Sequence, residues 1–273
     1  MGIDLVGKIG SMALIQREEG DMDYNIFARL GRELRPGMIW VSSGATEIGR
    51  LDYIRRKGKE LGGALEQVKT DYAAQGQAIL MENYRRYISP EYSVRQILVE
   101  HTHFNKQASR EFIRDLLLRC PEQGAIPIVN YNDPVSFEEN RKMELSELRK
   151  TSQSVVECVD NDETAAVIAE LVGAKTLLIL TSADGIYRDA DDPSTIVREL
   201  CEKDPQSLEN SIRLLQQSCV GASREGAGGA RAKLEYILPC AKLGTHVVIG
   251  SPRHRIDDLL EGRVPATHIR LKR

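Results

Sequence analysis

The sequence has no excess of positive charge and no long apolar run. Its 37 lysine and arginine residues are balanced by 40 aspartate and glutamate residues, so the net charge is -3. Because binding a polyanion needs a surplus of basic residues, nucleic acid is not expected as the main partner. No stretch approaches the ~20 apolar residues of a membrane span, and the apolar start is too interrupted for a secretion signal. We therefore expect a cytoplasmic protein without a membrane partner.

Paired cysteines are also missing. The five cysteines are odd in number, widely spaced and without a CxxC pair, which argues against a disulfide framework or a zinc knuckle. They are predicted to be reduced packing residues. His101 and His103 form an HxH pair, but no Cys or carboxylate stands at ligand spacing, so a partly exposed helix end is favoured over a metal site.

Short apolar runs alternate with helical patterns along the 273 residues. Continuously apolar runs are typical of strands that are covered on both faces. They occur at residues 39–41, 126–129, 177–180 and 247–249. Helical spacing is found over 162–172 and over 105–120, where Phe112, Ile113, Leu116 and Leu117 are predicted to share an apolar face. The charged stretch 137–153 is predicted to be an exposed helix or flap.

This alternation predicts an α/β protein, a three-layer αβα sandwich with a mostly parallel central sheet. Ligands of such sheets bind beyond the carboxyl ends of the strands, so function is expected in the loops that follow them. The length fits one large domain or two modest lobes. We predict a single domain over 1–273, because no clean domain boundary is found in the sequence.

Two segments near the amino terminus could bind anions. Residues 7–11 combine glycines with Lys8 in what is predicted to be a loop after an apolar stretch, a composition that suits phosphate. Residues 42–45 run from a strand into a small-residue turn before a helix, where hydroxyls and amides could hold a carboxylate or phosphate. Simple helix capping by serine explains the second segment equally well.

Two further segments are rich in asparagine and aspartate. Residues 130–133 follow a predicted strand, and residues 160–162 follow a strand-like stretch at 154–156. Asp160 with Glu163 satisfies an Asp-x-x-Glu capping pattern, but capping needs only one acid. The additional polar groups could orient lysines or an amino group.

A glycine-rich segment at 226–233 opens a predicted helix. It does not have the Walker A spacing, because the interval from glycine to lysine is wrong and no hydroxyl follows Lys233. A different nucleotide-binding fold, or no nucleotide site, is therefore indicated.

Taken in order, these segments resemble the amino-acid kinase superfamily, and within it most the glutamate 5-kinase family. Any one motif is weak, but seven in the right order span nearly the whole chain. They are Lys-x-Gly-Ser at 8–11, Ser-Ser-Gly-Ala at 42–45, Gln-Gly-Gln at 75–77 before a long helix, Pro-Ile-x-Asn-x-Asn-Asp at 127–133, Asp-Asn-Asp at 160–162, Leu-Thr-Ser-Ala-Asp-Gly-Ile-Tyr at 180–187, and the glycine-rich 226–233.

The chain departs from the family pattern at several points. The segment between Asp133 and Asp160 is longer than in glutamate 5-kinases and borders the substrate in that family. Ser182 replaces an acid on the nucleotide side, and Ala232 replaces the hydroxyl before Lys233. A carboxy-terminal PUA domain of the RNA-modification type is not expected.

The resemblance implies a kinase that transfers the γ-phosphoryl group of ATP, with Mg²⁺ bound chiefly by ATP oxygens and water, to a carboxylate. The substrate would be L-glutamate, and the product glutamyl 5-phosphate, in proline biosynthesis. The resemblance also implies a substrate-binding lobe over about 1–160 and a nucleotide-binding lobe over about 161–273. No protein metal site is implied, and assembly as a homo-oligomer is expected by resemblance only. The implied catalytic residues are Lys8, Lys233 and Asp162. The implied substrate-binding residues are Ser43, Gly44, Ala45, Asp133 and Asn161. The implied nucleotide-binding residues are Lys8, Gly10, Ser11, Thr181, Ser182, Tyr187, Ala227, Gly228, Gly229 and Lys233.

Two alternatives remain open. One is a uridylate-kinase-like or other small-acid kinase of the same fold, in which the longer segment after Asp133 accommodates a phosphorylated substrate. The other is a catalytically silent nucleotide-binding sensor or storage protein. Retention of both Lys8 and Lys233 argues against the second, because a pure binder needs neither of them to neutralise transition-state charge.

Overall fold

The secondary structure alternates between strands and helices as the sequence predicts. The computed structural model describes residues 2–136, 138–151, 155–158, 160–189, 191–219 and 229–272. Within them the strands are β1 (Leu5–Ile9), β2 (Ile15–Gln16), β3 (Asp21–Met22), β4 (Met38–Ser42), β5 (Ser93–Val99), β6 (Ala125–Tyr131), β7 (Thr176–Leu180), β8 (Glu199–Glu202), β9 (His246–Gly250) and β10 (Ala266–Leu271). The α-helices are α1 (Tyr24–Glu33), α2 (Ala45–Lys57), α3 (Leu65–Tyr87), α4 (His101–Asn105), α5 (Gln107–Arg119), α6 (Glu138–Thr151), α7 (Asn161–Val172), α8 (Pro205–Ser218), α9 (Gly229–Lys242) and α10 (Ile256–Leu260).

One eight-stranded sheet carries the fold. Its strand order is β5-β6-β4-β1-β7-β9-β10-β8, and every neighbouring pair is parallel except β9 with β10. Strands β2 and β3 form a separate antiparallel pair. The four apolar runs at 39–41, 126–129, 177–180 and 247–249 all lie within strands of the large sheet. The predicted strands are therefore confirmed.

Helices cover both faces of the sheet. In β4, Ile39 and Val41 belong to one buried cluster, whereas Met38 and Trp40 belong to the other. This division follows from the pleat, which sends successive side chains to opposite faces. One cluster includes residues of α5, α7, α8 and α9, and the other includes residues of α1, α2, α3 and α10. The predicted αβα sandwich is confirmed.

The carboxyl ends of the central strands lie level with one another. Ile9 pairs with both Ser42 and Leu180, and Leu180 pairs with Gly250. Because these strands are parallel, the segments that follow β1, β4, β7 and β9 all emerge at one edge of the sheet. That edge is where ligands of open α/β sheets bind.

Two motif segments lie inside regular elements rather than beside them. Gly7 and Lys8 are part of β1, so the prediction of a loop beginning at residue 7 is wrong. Gly7 is required there by close packing, since a Cβ on it would lie 2.1 Å from the Trp40 ring. Residues 75–77 lie within α3 rather than before a long helix.

Two other local predictions need correction, and a third holds. The helical pattern over 105–120 is divided between α4 and α5, and Phe112 is 63% exposed while Ile113 is buried. Residues 155–156 form no strand, and 154 lies outside the described residues. The charged stretch 137–153 is helical over α6, as predicted.

The cysteine and histidine predictions hold in part. Four cysteines are buried or partly buried, but Cys201 is exposed and therefore does not serve packing. His101 is buried at 3% exposure, contrary to the expectation of a partly exposed helix end. The His103 side chain accepts a hydrogen bond from the Glu100 amide and so caps α4. Among the described helices, none combines the length and apolar character that crossing a membrane requires.

Candidate active site

A buried carboxylate holds two lysines at the carboxyl edge of the sheet. Lys8 Nζ lies 2.6 Å from Asp162 Oδ1, and Lys233 Nζ lies 2.9 Å from Asp162 Oδ2. Asp162 is only 2% exposed and Lys8 8%. The structure therefore brings together the three residues predicted to be catalytic.

The start of α7 determines where Asp162 lies. The Asp160 carboxylate accepts hydrogen bonds from the backbone N–H groups of Asp162 and Glu163, at 2.7 and 3.1 Å. This is the predicted N-cap, and it leaves Asn161 and Asp162 in the first turn of the helix. Both side chains are thereby fixed close to the end of β1.

The charge state of Asp162 follows from its neighbours. Burial alone would raise the pKa of this carboxyl, but the positive charges of Lys8 and Lys233 outweigh it and hold the pKa below its ordinary value. Asp162 is therefore ionised at neutral pH. The carboxylate partly offsets the repulsion between the two ammonium groups.

A row of hydrogen-bonded polar side chains, called the amide chain below, lies next to Lys8, Asp162 and Lys233. The Asn161 side chain donates to Ser43 Oγ at 2.9 Å and to Asn130 Oδ1 at 3.0 Å. Asn130 in turn donates to Gln77 Oε1 at 2.8 Å. These side chains link α7, the turn after β4, β6 and α3. Gln77 and Asn130 belong to recognised motifs but were not predicted as site residues, because a buried contact between two amides leaves no periodic signal in the sequence.

The turn after β4 presents a helix N-terminus to the site. Gly44 is the N-cap of α2 with φ of 110°, and no side chain caps the helix, so the alternative of serine capping is wrong. Ser42 is buried with its hydroxyl 2.8 Å from Tyr84 Oη, which leaves Ser43 to bind Asn161. Ala45 begins the helix, whose first backbone N–H groups are suited to an anion.

Asp133 lies in the turn that follows β6. Burial raises the pKa of its carboxyl to about 6, and the positive charge of Arg141 acts in the opposite direction. A carboxylate in a desolvated position favours a cationic ligand, because an added positive charge compensates the lost hydration.

The predicted nucleotide residues lie along the same edge in part. Gly10 and Ser11 directly follow β1, and Thr181 follows β7 with its N–H donating to the Gly250 carbonyl at 2.9 Å. Ser182 is exposed, and Tyr187 forms an isolated antiparallel bridge with Ile196. Gly229 is the first residue of α9. Ala227 and Gly228 lie outside the described residues.

The described side chains do not form a protein metal centre. No group of three or more His, Cys, Asp or Glu residues is arranged to hold a metal ion in the part of the chain that the structure covers.

Sequence comparison relates this chain to a known family and to curated proteins. The model of the amino acid kinase family matches residues 5–251. A glutamate 5-kinase of Xanthomonas campestris pv. campestris (strain 8004) is 31% identical over 245 residues, which cover 89% of this chain and 60% of that relative. A glutamate 5-kinase of Gloeobacter violaceus is 31% identical, with 99% of this chain and 69% of the relative covered. The chain thus spans about three fifths to two thirds of the length of these relatives.

Solved structures share the fold at low sequence identity. A carbamate kinase from Giardia lamblia bound to AMP-PNP superposes with a TM-score of 0.60 at 15% identity, over 99% of both chains. A UMP kinase from Ureaplasma parvum superposes with a TM-score of 0.56 at 12% identity, over the full length of both. Kinases that act on different acceptors therefore share this architecture.

Proposed function

Because the chain belongs to the amino acid kinase family, we propose that it transfers the γ-phosphoryl group of ATP to the side-chain carboxylate of L-glutamate. The products would be glutamyl 5-phosphate and ADP. The observation that carries the proposal is the convergence of Lys8 and Lys233 on Asp162 at the carboxyl edge of the sheet.

The chemistry needs little from the protein beyond alignment and charge. A carboxylate oxygen is already a nucleophile, so no general base is required. The bond from the γ-phosphorus to the bridging oxygen of ATP breaks as the bond to the acceptor oxygen forms. Catalysis of such transfers comes mainly from positioning and from neutralising the charge on the moving phosphoryl group.

The two ammonium groups suit that task, and we assign them to different partners in the reaction. Lys8 lies on β1, next to Gly10 and Ser11, and we assign it to the phosphoryl and acceptor side. Lys233 lies on α9, which follows the glycine-rich segment, and we assign it to the nucleotide side. Asp162 holds both before substrates arrive, so the charges need little rearrangement during the reaction.

The acceptor would bind beside the amide chain. The Asp133 carboxylate would bind a substrate ammonium group, while Ser43, Asn161 and the N-terminus of α2 would hold its oxygens. The relatives named glutamate 5-kinase support glutamate as that acceptor. Mg²⁺ would arrive with ATP, and Thr181, Tyr187 and Gly229 would lie on the nucleotide side.

One assay separates the candidate activities. The purified chain is incubated with ATP and Mg²⁺, in one reaction with L-glutamate and hydroxylamine and in another with UMP. We expect glutamyl hydroxamate in the first and no UDP in the second. UDP formation would favour the uridylate-kinase-like alternative, and a protein that binds ATP but forms neither product would favour a silent sensor. Lys8→Met serves as the control for contaminating kinase activity.

A further inference from the structure

Helix α6 is anchored against the substrate side of the sheet. It lies in the segment between Asp133 and Asp160. His101 Nε2 lies 2.9 Å from Glu144 Oε2, and Arg149 forms an ion pair with Glu157. Leu145 is buried at 5% exposure. These contacts attach one face of α6 to the body of the protein.

The anchored helix brings Arg141 to the end of β6. The Arg141 Cζ atom lies 5.9 Å from the centroid of the Tyr131 ring, close enough for a cation–π contact. The Arg141 guanidinium also forms a side-chain hydrogen bond with Tyr131, but its Nε atom is buried and has no hydrogen-bond partner among the described residues. A buried guanidinium nitrogen with no partner is costly, because desolvation is not compensated. The position therefore favours an acceptor supplied by a ligand.

Arg141 also acts on Asp133, the predicted ligand of the substrate amino group. Its positive charge opposes the rise that burial causes in the pKa of Asp133. The Arg141 guanidinium lies over Tyr131, the last residue of β6, and Asp133 follows two residues later, so both charged groups are found at the carboxyl end of this strand. An α-amino acid presents the complementary pair, an ammonium group and a carboxylate on one carbon atom.

We propose that Arg141 is a specificity-determining residue that binds the α-carboxylate of the acceptor, beside the ammonium site at Asp133. This inference rests on the proposed glutamate kinase activity. A planar guanidinium binds a carboxylate through two parallel N–H donors, and the contact with Tyr131 restricts the orientation of Arg141. Helix α6 then serves to deliver this residue to the site.

The test compares glutamate with 4-aminobutanoate, which is glutamate without its α-carboxylate. Arg141→Met keeps the apolar stem of the side chain and removes the charge. We expect kcat/KM for glutamate to fall roughly 10- to 100-fold, the range for losing a charged hydrogen-bonded contact. For 4-aminobutanoate, we expect Arg141→Met to stay within about twofold of the wild type. The quantity measured is kcat/KM or, if turnover is too slow, the inhibition constant of 4-aminobutanoate against glutamate.

Arg149→Met is the matched control. It removes the same charge from the same helix and weakens the attachment of α6, but leaves Arg141 in place. We expect Arg149→Met to change kcat/KM for the two substrates equally or not at all. Thermal melting identifies any loss of folding in either variant.

Two results overturn the inference and are distinguishable from failure of the proposed function. If Arg141→Met leaves kcat/KM for glutamate unchanged, or lowers kcat/KM equally for glutamate and 4-aminobutanoate, Arg141 does not contact the α-carboxylate. In either case the proposed kinase activity itself stands. A wild-type protein that forms no glutamyl hydroxamate overturns the proposed activity, and this inference with it.

Discussion

Lys8 and Lys233, which come from opposite ends of the chain, bind the two oxygens of one carboxylate. Their Nζ atoms lie 2.6 and 2.9 Å from Oδ1 and Oδ2 of Asp162. Two unit positive charges that share one carboxylate repel each other by roughly a few kcal/mol at an effective dielectric constant of about 20. Asp162 therefore makes it possible to hold two cations in one largely buried place. Charge that would neutralise a migrating phosphoryl group is assembled before any substrate binds.

Replacing Asp162 by Asn is expected to impair both stability and rate. Removal of the central charge from a buried ion-pair network typically costs about 3–5 kcal/mol in the free energy of unfolding. We expect kcat to fall at least about a hundredfold, because the lysines lose their common anchor. Urea unfolding and steady-state kinetics measure the two effects. A rise in KM with unchanged kcat would instead assign Asp162 a binding role.

The same substitution predicts a pH dependence of stability. The pKa of Asp162 is lower in the folded state than its ordinary value of 3.8. Its contribution is therefore fully present above the unfolded pKa and is lost as the pH falls through the folded pKa. The difference in unfolding free energy between wild type and Asp162→Asn should be constant from pH 5 to 7 and shrink below about pH 4. A difference that grows on acidification would contradict the assigned pKa direction.

Replacing either lysine by Met is expected to lower the rate without destroying the fold. For Lys8→Met and Lys233→Met we expect kcat to fall at least about a hundredfold, the scale for removing one preorganised charge donor. Lys175→Met is the control, because Lys175 pairs with Asp4 on an exposed surface. Near-normal turnover in either of the two site variants would be incompatible with the roles assigned to these lysines.

Asp133 should make acceptor binding depend on pH. Burial raises the pKa of this carboxyl to about 6, against the opposing charge of Arg141, and only the ionised form attracts an ammonium group. One pH unit below the pKa about a tenth of the groups remain ionised, so KM for glutamate should rise about tenfold by pH 5. The profile of kcat/KM for the acceptor between pH 5 and 8 tests this. Asp133→Asn should bind weakly and lack the inflection, and an unchanged inflection in that variant would assign it to another group.

Gly76→Ala tests the helix packing behind the amide chain. A Cβ at Gly76 would lie 1.8 Å from the Ala45 carbonyl oxygen and 2.4 Å from Gly49 N, so α2 and α3 would have to separate. We expect a loss of at least about 1–3 kcal/mol in unfolding free energy, the usual cost of overpacking. Activity should fall as well, because Gln77 on the same turn binds Asn130.

Gly62→Ala is the matched control for Gly76→Ala. A Cβ at Gly62 meets nothing within 4 Å, so this substitution should be neutral or stabilise slightly. Equal stabilities of the two alanine variants would show that the close approach of α2 and α3 is not needed.

Local features of the fold were readable from the sequence. The apolar run at 39–41 predicts a strand because both faces of it are covered, and the cap at Asp160 predicts the start of a helix because one carboxylate satisfies two free amides. These signals depend on residues within one or two turns of each other. The order of the motifs likewise predicted which residues would approach Asp162.

Other assignments failed where tertiary contacts override local pattern. Gly7 and Lys8 have the composition of a loop, yet they form part of β1 because Trp40 occupies the space above Gly7. Phe112 fits an apolar stripe, but its side of α5 faces away from the sheet. The local sequence shows neither the position of Trp40 nor which side of α5 faces the sheet.

By itself the sequence determined the alternation of strands and helices, the parallel sheet and the identity of the charged groups, because these follow from periodicity, capping and motif order. Only the tertiary structure decided that Lys8 and Lys233 share one carboxylate, that Gln77 and Asn130 link α3 to the site, and that α6 brings Arg141 over the Tyr131 ring. The physical reason is that contacts between residues distant in the chain depend on strand order and helix packing, which leave no periodic trace in the residues themselves.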